Sequence, residues 1–154
     1  MTAYYVDTSA LVKRYVDEVG SVWLRALLDP AVQPVIVVSQ LLIAEMTSAF
    51  TRRVREGTLS REDYARLQDV FRNDCLTEYQ AFPVSQAVID LAGNLMERHP
   101  LRTLDALHLA TGLLVRNFLS QQGMEDVVLI SADERLLVVA AAEGMTVDNP
   151  VRHP

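Results

Sequence analysis

The sequence has little of the chemistry that is typical of secreted or membrane-spanning proteins. Its single cysteine, Cys75, excludes an internal disulfide bond and fits a reducing compartment. No run of 18 apolar residues is present, so we expect no transmembrane helix. The N-terminus also lacks the basic region, apolar stretch and cleavage site of a signal peptide. We therefore expect a cytoplasmic protein with no membrane partner.

Lysine is almost absent: of the fourteen lysine and arginine residues, all except Lys13 are arginines. The formal net charge of −6 argues against a protein that coats nucleic acid by bulk electrostatics. An arginine cluster nevertheless falls between residues 52 and 72, and the planar guanidinium group suits phosphate. A solvated helix surface explains this cluster adequately, although it is compatible with an RNA substrate. The cluster consists of Arg52, Arg53, Arg55, Arg61, Arg66 and Arg72.

Internal repeats, low-complexity tracts and linkers are also lacking, so we expect residues 1–154 to form a single domain. The hydrophobic fraction of 50% is sufficient for one core. Short runs of β-forming residues alternate with helical patterns along the chain. This order predicts a three-layer α/β/α domain around a mainly parallel sheet of roughly five strands. The predicted strands are 4–6, 35–38, 79–82, 127–130 and 145–147.

A carboxylate ends the first predicted strand and begins a turn into a helix. Tyr4, Tyr5 and Val6 show no polar alternation, which favours a strand buried on both faces. Asp7 follows them, and Ser9 is well placed to cap the next helix. In open α/β sheets, ligands bind at this edge. Aspartate also favours turns for local reasons, so Asp7 alone is a weak indicator of a site.

Two further acids lie at unusual positions in predicted helices. Glu45 lies on or beside an apolar stripe, where an unpaired carboxylate costs on the order of several kcal/mol to bury. It therefore binds a metal, pairs with an arginine or extends from the edge of the stripe into solvent. Asp105 lies in the first turn of a helix, where the helix dipole stabilises the ionised form that a metal ligand requires. The same dipole makes acids common in first turns without any functional role.

The last candidate acid, Asp133, follows the strand 127–130 and Ser131, which resembles the arrangement at Asp7. Capping of the following helix is the alternative role for Asp133. His108 lies one turn beyond Asp105 on the same helix face. An isolated histidine beside an apolar helix is more often structural than catalytic, and we interpret His108 as structural.

These acids are expected to meet at one edge of the sheet. Asp7 and Asp133 leave the carboxyl ends of strands, while Glu45 and Asp105 lie in early turns of helices that follow toward that edge. Carboxylates gathered without matching bases repel one another unless cations bind. Oxygen ligands favour Mg²⁺ or Mn²⁺ over zinc, and the sequence offers no Cys/His ligand set.

Four segments have a more specific pattern: YVDTSAL at 5–11, Ala44-Glu45, LRTLDALHLA at 101–110 and ISAD at 130–133. Together they resemble PIN domains and, more narrowly, the VapC-type toxins of toxin–antitoxin pairs. The resemblance spans nearly the whole chain, and the segment around Asp105 is its most specific part. It implies a parallel five-stranded sheet flanked by helices and a ribonuclease that depends on Mg²⁺ or Mn²⁺. It also implies a cognate antitoxin and a homodimer.

Carried over residue by residue, the resemblance matches Asp7, Glu45, Asp105 and Asp133 to the acidic quartet of the family. Ser9 matches a polar position that supports the site through hydrogen bonds. Within this hypothesis Asp7 and Asp105 are the most direct metal ligands, Glu45 ligates or positions the attacking water, and Asp133 acts through bound waters.

Our first hypothesis is therefore a metal-dependent endoribonuclease. A catalytically silent binding module is the second, and the complete set of acids argues against it. A phosphatase with Asp7 as nucleophile is the weakest, because Ser9 occupies the position where a second acid is usual. Arg52, Arg53 and Arg55 end an exposed predicted helix, and we expect them to contact RNA or the antitoxin without contributing to the core.

Overall fold

Strands and α-helices alternate through residues 2–124 and 126–154, the part of the chain that the computed structural model describes. No helix in these two ranges is both long enough and apolar enough to cross a membrane. The strands are β1 (Thr2–Val6), β2 (Val35–Ser39), β3 (Tyr79–Phe82), β4 (Asp126–Ile130) and β5 (Thr146–Asp148). The helices are α1 (Thr8–Tyr15), α2 (Ser21–Leu27), α3 (Leu41–Arg55), α4 (Arg61–Thr77), α5 (Gln86–Arg98), α6 (Thr103–Gln121) and α7 (Glu134–Ala142), with short 3-10 helices at Pro30–Val32 and Pro150–Arg152.

The sheet has the strand order β3-β2-β1-β4-β5, and every pair of neighbours is parallel. The first strand of the chain is therefore the central one, with Tyr4 opposite Ile36 on one side and Val128 on the other. Since all strands run in one direction, their carboxyl ends lie at one edge. The predicted α/β fold with a five-stranded parallel sheet is confirmed.

The strands are apolar on both faces because helices cover both. Ala3 and Tyr5 of β1 pack into a core with residues of α5, α6 and α7. Val6 belongs to a second core with residues of α1 to α4. This two-sided burial explains why the strand sequences lack polar alternation.

A helical hairpin, α3 and α4, covers the end of the sheet that carries β2 and β3. Its turn contains Gly57 in the left-handed conformation, with φ of 78°. The hydroxyl of Ser60 then accepts the backbone N–H of Asp63 at 3.0 Å and caps α4. Both features agree with the sequence, since a glycine just past a helix and a Ser-x-x-Asp segment mark a helix end and a helix start.

A close contact at Gly20 leads to our first prediction. Gly20 has φ of 89°, and a Cβ atom there would lie 2.3 Å from the carbonyl oxygen of Pro150. Gly57 has a similar φ, but among the described residues no atom beyond its own and those of its chain neighbours lies within 4 Å of its Cβ position. We expect Gly57→Ala to cost about 1 kcal/mol through backbone strain alone. Gly20→Ala should cost about 1–3 kcal/mol more, because the Pro150 backbone must also move.

The measurement for this pair is the free energy of unfolding in urea. Both variants share the strain of a left-handed alanine, so the difference between them isolates the contact with Pro150. Equal losses in the two variants would show that the segment around Pro150 does not pack on Gly20 in solution.

Candidate active site

All four candidate acids line one cleft of about 410 Å³ at the carboxyl edge of the sheet. Asp7 directly follows the central strand β1, and Asp133 begins the helix that follows β4. Asp105 lies in the first turn of α6, and Glu45 lies in the second turn of α3. Parallel strands place these four helix and strand ends side by side, as the sequence predicts. The cleft is also lined by Ser9, His108, Arg52 and Arg53.

Asp7 is the most enclosed of these acids, with 5% of its surface exposed. Its Oδ1 atom accepts the N–H of Ala10 at 3.0 Å and the hydroxyl of Ser9 at 2.7 Å. Its Oδ2 atom accepts the hydroxyl of Ser131 at 2.6 Å. Burial raises the pKa of the Asp7 carboxyl, although the charge of His108 and the hydrogen bonds from Ser131 and Ser9 act to lower it.

The predicted helix cap at Ser9 is wrong, because Asp7 caps α1 and Ser9 lies inside its first turn. A carboxylate at Asp7 can accept the N–H three residues later, so the helix begins two residues earlier than predicted. The hydroxyl of Ser9 instead donates to Asp7 and accepts the N–H of Ala132 at 2.9 Å. Ser9 therefore connects the loop after β1 to the loop after β4.

Ser131 makes a second connection between the same two loops. It is fully buried, and its hydroxyl donates to Asp7 and accepts the N–H of Asp133 at 3.0 Å. Asp133 in turn caps α7 by accepting the N–H of Arg135 at 3.0 Å. The helix-cap role considered for Asp133 is thus real, and Asp133 lines the cleft as well. The sequence did not indicate Ser131 as more than part of a turn.

The carboxylate of Asp105 receives no hydrogen bond from the residues that the structure describes. Burial raises the pKa of Asp105, and the negative charges of Asp133 and Asp7 raise it further. The positive charges of Arg102 and His108 act in the opposite direction. The charges of Asp7 and Asp133 therefore act on Asp105, and a cation bound beside Asp105 would relieve that repulsion.

Glu45 lines the cleft and is partly buried, with 23% of its side chain exposed. Its Oε1 atom accepts the hydroxyl of Thr8 at 3.0 Å and a hydrogen from Nε2 of His108 at 2.6 Å. Among the sequence-based alternatives, Glu45 therefore has a pairing partner, but the partner is a histidine and not an arginine.

His108 is a functional candidate that the sequence interpretation assigned to a structural role. Its ring is 4% exposed, and Nδ1 lies 2.8 Å from the hydroxyl of Tyr5. Burial acts to lower the pKa of His108, but the hydrogen bond with Glu45 and the charge of Asp7 outweigh it and raise the pKa. The spacing of three residues from Asp105 was the sequence signal that placed His108 on the cleft side of α6.

The three candidate arginines of α3 do not form one exposed group. Arg52 is exposed and lines the cleft, whereas Arg55 is exposed but does not line it. Arg53 has a side chain that is 15% exposed, and its Nε atom donates to Glu18 at 3.0 Å. Arg53 also donates to the carbonyl oxygen of Ala49 at 3.0 Å. The expectation that all three are exposed is therefore wrong for Arg53.

The donor chemistry of the cleft suits a hard divalent cation. Its acids offer oxygen atoms, and the repulsion at Asp105 disfavours the metal-free ionised state. Within residues 2–124 and 126–154, no group of three or more His, Cys, Asp or Glu side chains is placed to hold a metal ion by itself. A structural zinc site takes four such protein ligands, whereas Mg²⁺ keeps several waters and binds through one or two carboxylates. The residues present therefore fit a partly hydrated Mg²⁺ or Mn²⁺ ion.

Solved structures share this architecture at low sequence identity. VapBC2 from Rickettsia felis, bound to a DNA fragment from its promoter, aligns with a TM-score of 0.65 at 14% identity, covering 97% of this chain and 98% of that one. A toxin–antitoxin complex from Klebsiella pneumoniae aligns with a TM-score of 0.63 at 17% identity, covering 96% and 98%. These similarities show a shared fold.

Sequence comparison gives the family. The family model described as PIN domain matches residues 4–142. Ribonuclease VapC46 of Mycobacterium tuberculosis is 33% identical over 153 residues, covering 97% of this chain and 99% of the relative. Ribonuclease VapC45 of the same species is 30% identical over 147 residues, covering 96% and 95%. The chain belongs to the PIN domain family and is a homologue of the VapC ribonucleases.

Proposed function

We propose that this chain is an endoribonuclease that depends on Mg²⁺ or Mn²⁺, and that it is the toxin of a toxin–antitoxin pair. The proposal rests on one observation above all: the four acids line a single cleft in a PIN domain chain. Relatives named as VapC ribonucleases match nearly its whole length, which supports the same reaction here. PIN-domain VapC ribonucleases generally depend on divalent metals.

We assign the cation to Asp7 and Asp105 first. When bound, Mg²⁺ or Mn²⁺ supplies an activated water and relieves the negative charge on the reacting phosphate. The hydrogen bonds from Ser9, Ala10 and Ser131 hold the Asp7 carboxylate in one orientation. Asp105 has no such restraint from the described residues, so both of its oxygens are available.

Glu45 and Asp133 complete the site in supporting positions. One oxygen of Glu45 is occupied by Thr8 and His108, which leaves the other for a cation or for the attacking water. One oxygen of Asp133 caps α7, so we assign Asp133 to contact through bound waters. This division of roles follows from which carboxylate oxygens already have donors.

Cleavage of a circular RNA tests the reaction directly, because a circle has no ends and only an endonuclease converts it to a linear product. We expect the purified chain to linearise it with Mg²⁺ or Mn²⁺ and not with EDTA. Asp7→Asn, purified in the same way, should be inactive, which controls for contaminating nucleases. A folded wild type that binds a partner but never cuts RNA would favour the silent binding module.

Arg52 is the arginine that we expect to contact the RNA backbone. It lines the cleft and is exposed, whereas Arg53 is occupied by Glu18. Arg52→Ala should weaken RNA binding with little change in the free energy of unfolding. It should also make the salt dependence of binding shallower, by about 0.7 in the slope of log K against log salt for one lost single-strand phosphate contact.

Arg53→Ala and Arg55→Ala are the matched comparisons for Arg52→Ala. We expect Arg53→Ala to lower the free energy of unfolding, because it leaves the partly buried Glu18 with Lys13 as its remaining basic partner among the described residues. Arg55→Ala should change neither stability nor RNA binding. An unchanged salt slope in Arg52→Ala would remove Arg52 from the RNA-binding surface.

The proposed partners are a cognate antitoxin and a second copy of the chain. Solved structures of the same fold include toxin–antitoxin complexes, which supports the first of these. The expected antitoxin is a short DNA-binding protein encoded by the upstream reading frame. It should co-purify with this chain. Light scattering of the purified chain tests for the second copy. The expected result is twice the mass of one chain.

A further inference from the structure

We propose that His108 is a positioning residue for Glu45. Its imidazole ring holds one carboxylate oxygen of Glu45 and thereby leaves the other oxygen for the cation in the cleft. This inference rests on the proposed function, because it describes how the chain keeps that cleft ready for Mg²⁺ or Mn²⁺. It assigns a role to a buried histidine that lies among the four acids without being one of them.

The contact between His108 and Glu45 has a defined direction. Nε2 lies 2.6 Å from Oε1, and an ionised carboxylate can only accept, so Nε2 carries the shared hydrogen. The hydroxyl of Thr8 donates to the same Oε1 atom from 3.0 Å. Two donors thus reach one oxygen, and no donor from the described residues reaches Oε2. The arrangement fixes which oxygen of Glu45 is free.

The ring of His108 is held at its other nitrogen as well. Nδ1 lies 2.8 Å from the hydroxyl of Tyr5, a fully buried residue of the central strand. The two rings also meet edge-on, with centroids 6.2 Å apart and planes inclined by 62°. A ring with partners at both nitrogens and 4% exposure cannot turn away from Glu45 without losing buried hydrogen bonds.

The hydrogen bonds from Tyr5 through His108 to Glu45 connect β1, α6 and α3, the three elements at which Asp7, Asp105 and Glu45 lie. Tyr5 belongs to β1, which leads directly into Asp7, and His108 belongs to α6, which begins near Asp105. Glu45 belongs to α3. The hydroxyl–imidazole–carboxylate chain therefore fixes the spacing of these elements where the cation would bind. Hydrogen-bonded partners of this kind typically contribute about 10- to 100-fold to metal affinity.

The test compares His108→Gln with His108→Asn in a Mn²⁺ titration followed by electron paramagnetic resonance. Both changes remove the imidazole, but they keep different contacts. The glutamine amide reaches the position of Nε2 and keeps a donor to Glu45, whereas the asparagine amide reaches only the position of Nδ1, beside Tyr5. We expect Mn²⁺ affinity to fall about 10- to 100-fold in His108→Asn and to remain close to wild type in His108→Gln.

His99 provides a matched control outside the cleft. Its Nε2 atom lies 2.7 Å from Oε1 of Glu143, so it makes the same type of contact with an acid that does not line the cleft. His99→Asn should leave Mn²⁺ affinity unchanged. If it lowers affinity as much as His108→Asn does, the effect is one of general stability and the inference fails.

A double variant tests whether His108 acts through Glu45. In a Glu45→Gln background, His108→Asn should cause little further loss of Mn²⁺ affinity. Glutamine has an uncharged amide in place of the carboxylate, so His108 no longer positions an anionic oxygen for the cation. Losses that multiply in the double variant would overturn the inference. So would equal Mn²⁺ affinities in His108→Asn and His108→Gln.

An unfolded variant and an inactive wild type also give decisive results. If His108→Asn does not fold, Tyr5→Phe replaces it: loss of the hydroxyl that orients the ring should still lower Mn²⁺ affinity, and unchanged affinity would overturn the inference. A wild type that neither binds Mn²⁺ nor cleaves RNA overturns the proposed function and this inference together. A wild type that does both while the His108 variants behave alike overturns this inference only.

Discussion

Asp105→Asn is expected to lower RNA cleavage by several orders of magnitude while the protein remains folded. The side chain keeps its shape and loses the charge that a cation requires, and ion placement controls the attacking water. In the folded protein the pKa of Asp105 is raised by burial and by the charges of Asp133 and Asp7, so its ionised form is disfavoured there. The free energy of unfolding of the wild type is therefore lowered as the pH rises above the pKa of Asp105 in the unfolded state. The asparagine variant does not have this loss.

The stability of the variant separates a metal ligand from an ordinary first-turn acid. If Asp105 interacted with the helix dipole alone, asparagine should cost a few tenths to about 1 kcal/mol and leave cleavage near the wild-type rate. We expect instead that the metal-free free energy of unfolding stays the same or rises, and that stabilisation by Mn²⁺ shrinks. Asp126→Asn, an exposed residue at the opposite end of β4, is the control and should change neither quantity.

Removing divalent metal should lower the thermal stability of the wild type by a large amount. A ligand that binds only the native state adds about 2.7 kcal/mol when its free concentration is 100 times its dissociation constant. For a chain of this length that energy corresponds to about 5–10 °C in melting temperature. The measurement is a melting curve in EDTA, followed by one with excess Mn²⁺.

Ionic strength is held constant with KCl, so that general screening of the acidic surface does not imitate site binding. The Asp105→Asn protein should show a smaller rise with Mn²⁺ than the wild type. A folded wild type with the same melting temperature in EDTA and in Mn²⁺ would mean that the four acids do not form a shared cation site.

The fold was largely predictable because its sheet is covered on both faces. Burial on two sides requires strands without polar alternation, and the runs at residues 4–6, 35–38 and 127–130 have that property. Each lies inside an observed strand. Helix starts at Ser60 and Ser85 were equally predictable, since their hydroxyls accept the N–H three residues later.

The site was predictable as a set of positions but not as a network of contacts. Parallel strands explain why acids after β1 and β4 meet, which requires only the direction of the chain. The cap of α1 was misplaced because Asp7, Thr8 and Ser9 are all good capping residues, and only the observed hydrogen bond to Ala10 distinguishes them.

Contacts between distant segments explain what the sequence did not specify. The partner of His108 lies on α3 and the partner of Arg53 lies in the loop after α1. Helical periodicity specifies the face on which each side chain lies, but it does not specify the opposing residue. A histidine beside an apolar stripe and an arginine at a helix end therefore have the same sequence pattern whether they are buried or free.

The central position of β1 also has a consequence for synthesis of the chain on the ribosome. Residues 2–6 leave the ribosome about 120 residues before their pairing partners on one side, residues 126–130. Until that late segment emerges, β1 has an unpaired edge, and Asp7 has no hydroxyl from Ser131. A nascent chain that is released early therefore lacks both Asp133 and the strand that positions it. Completion of the cleft, and with it the proposed activity, therefore requires synthesis at least as far as Asp133.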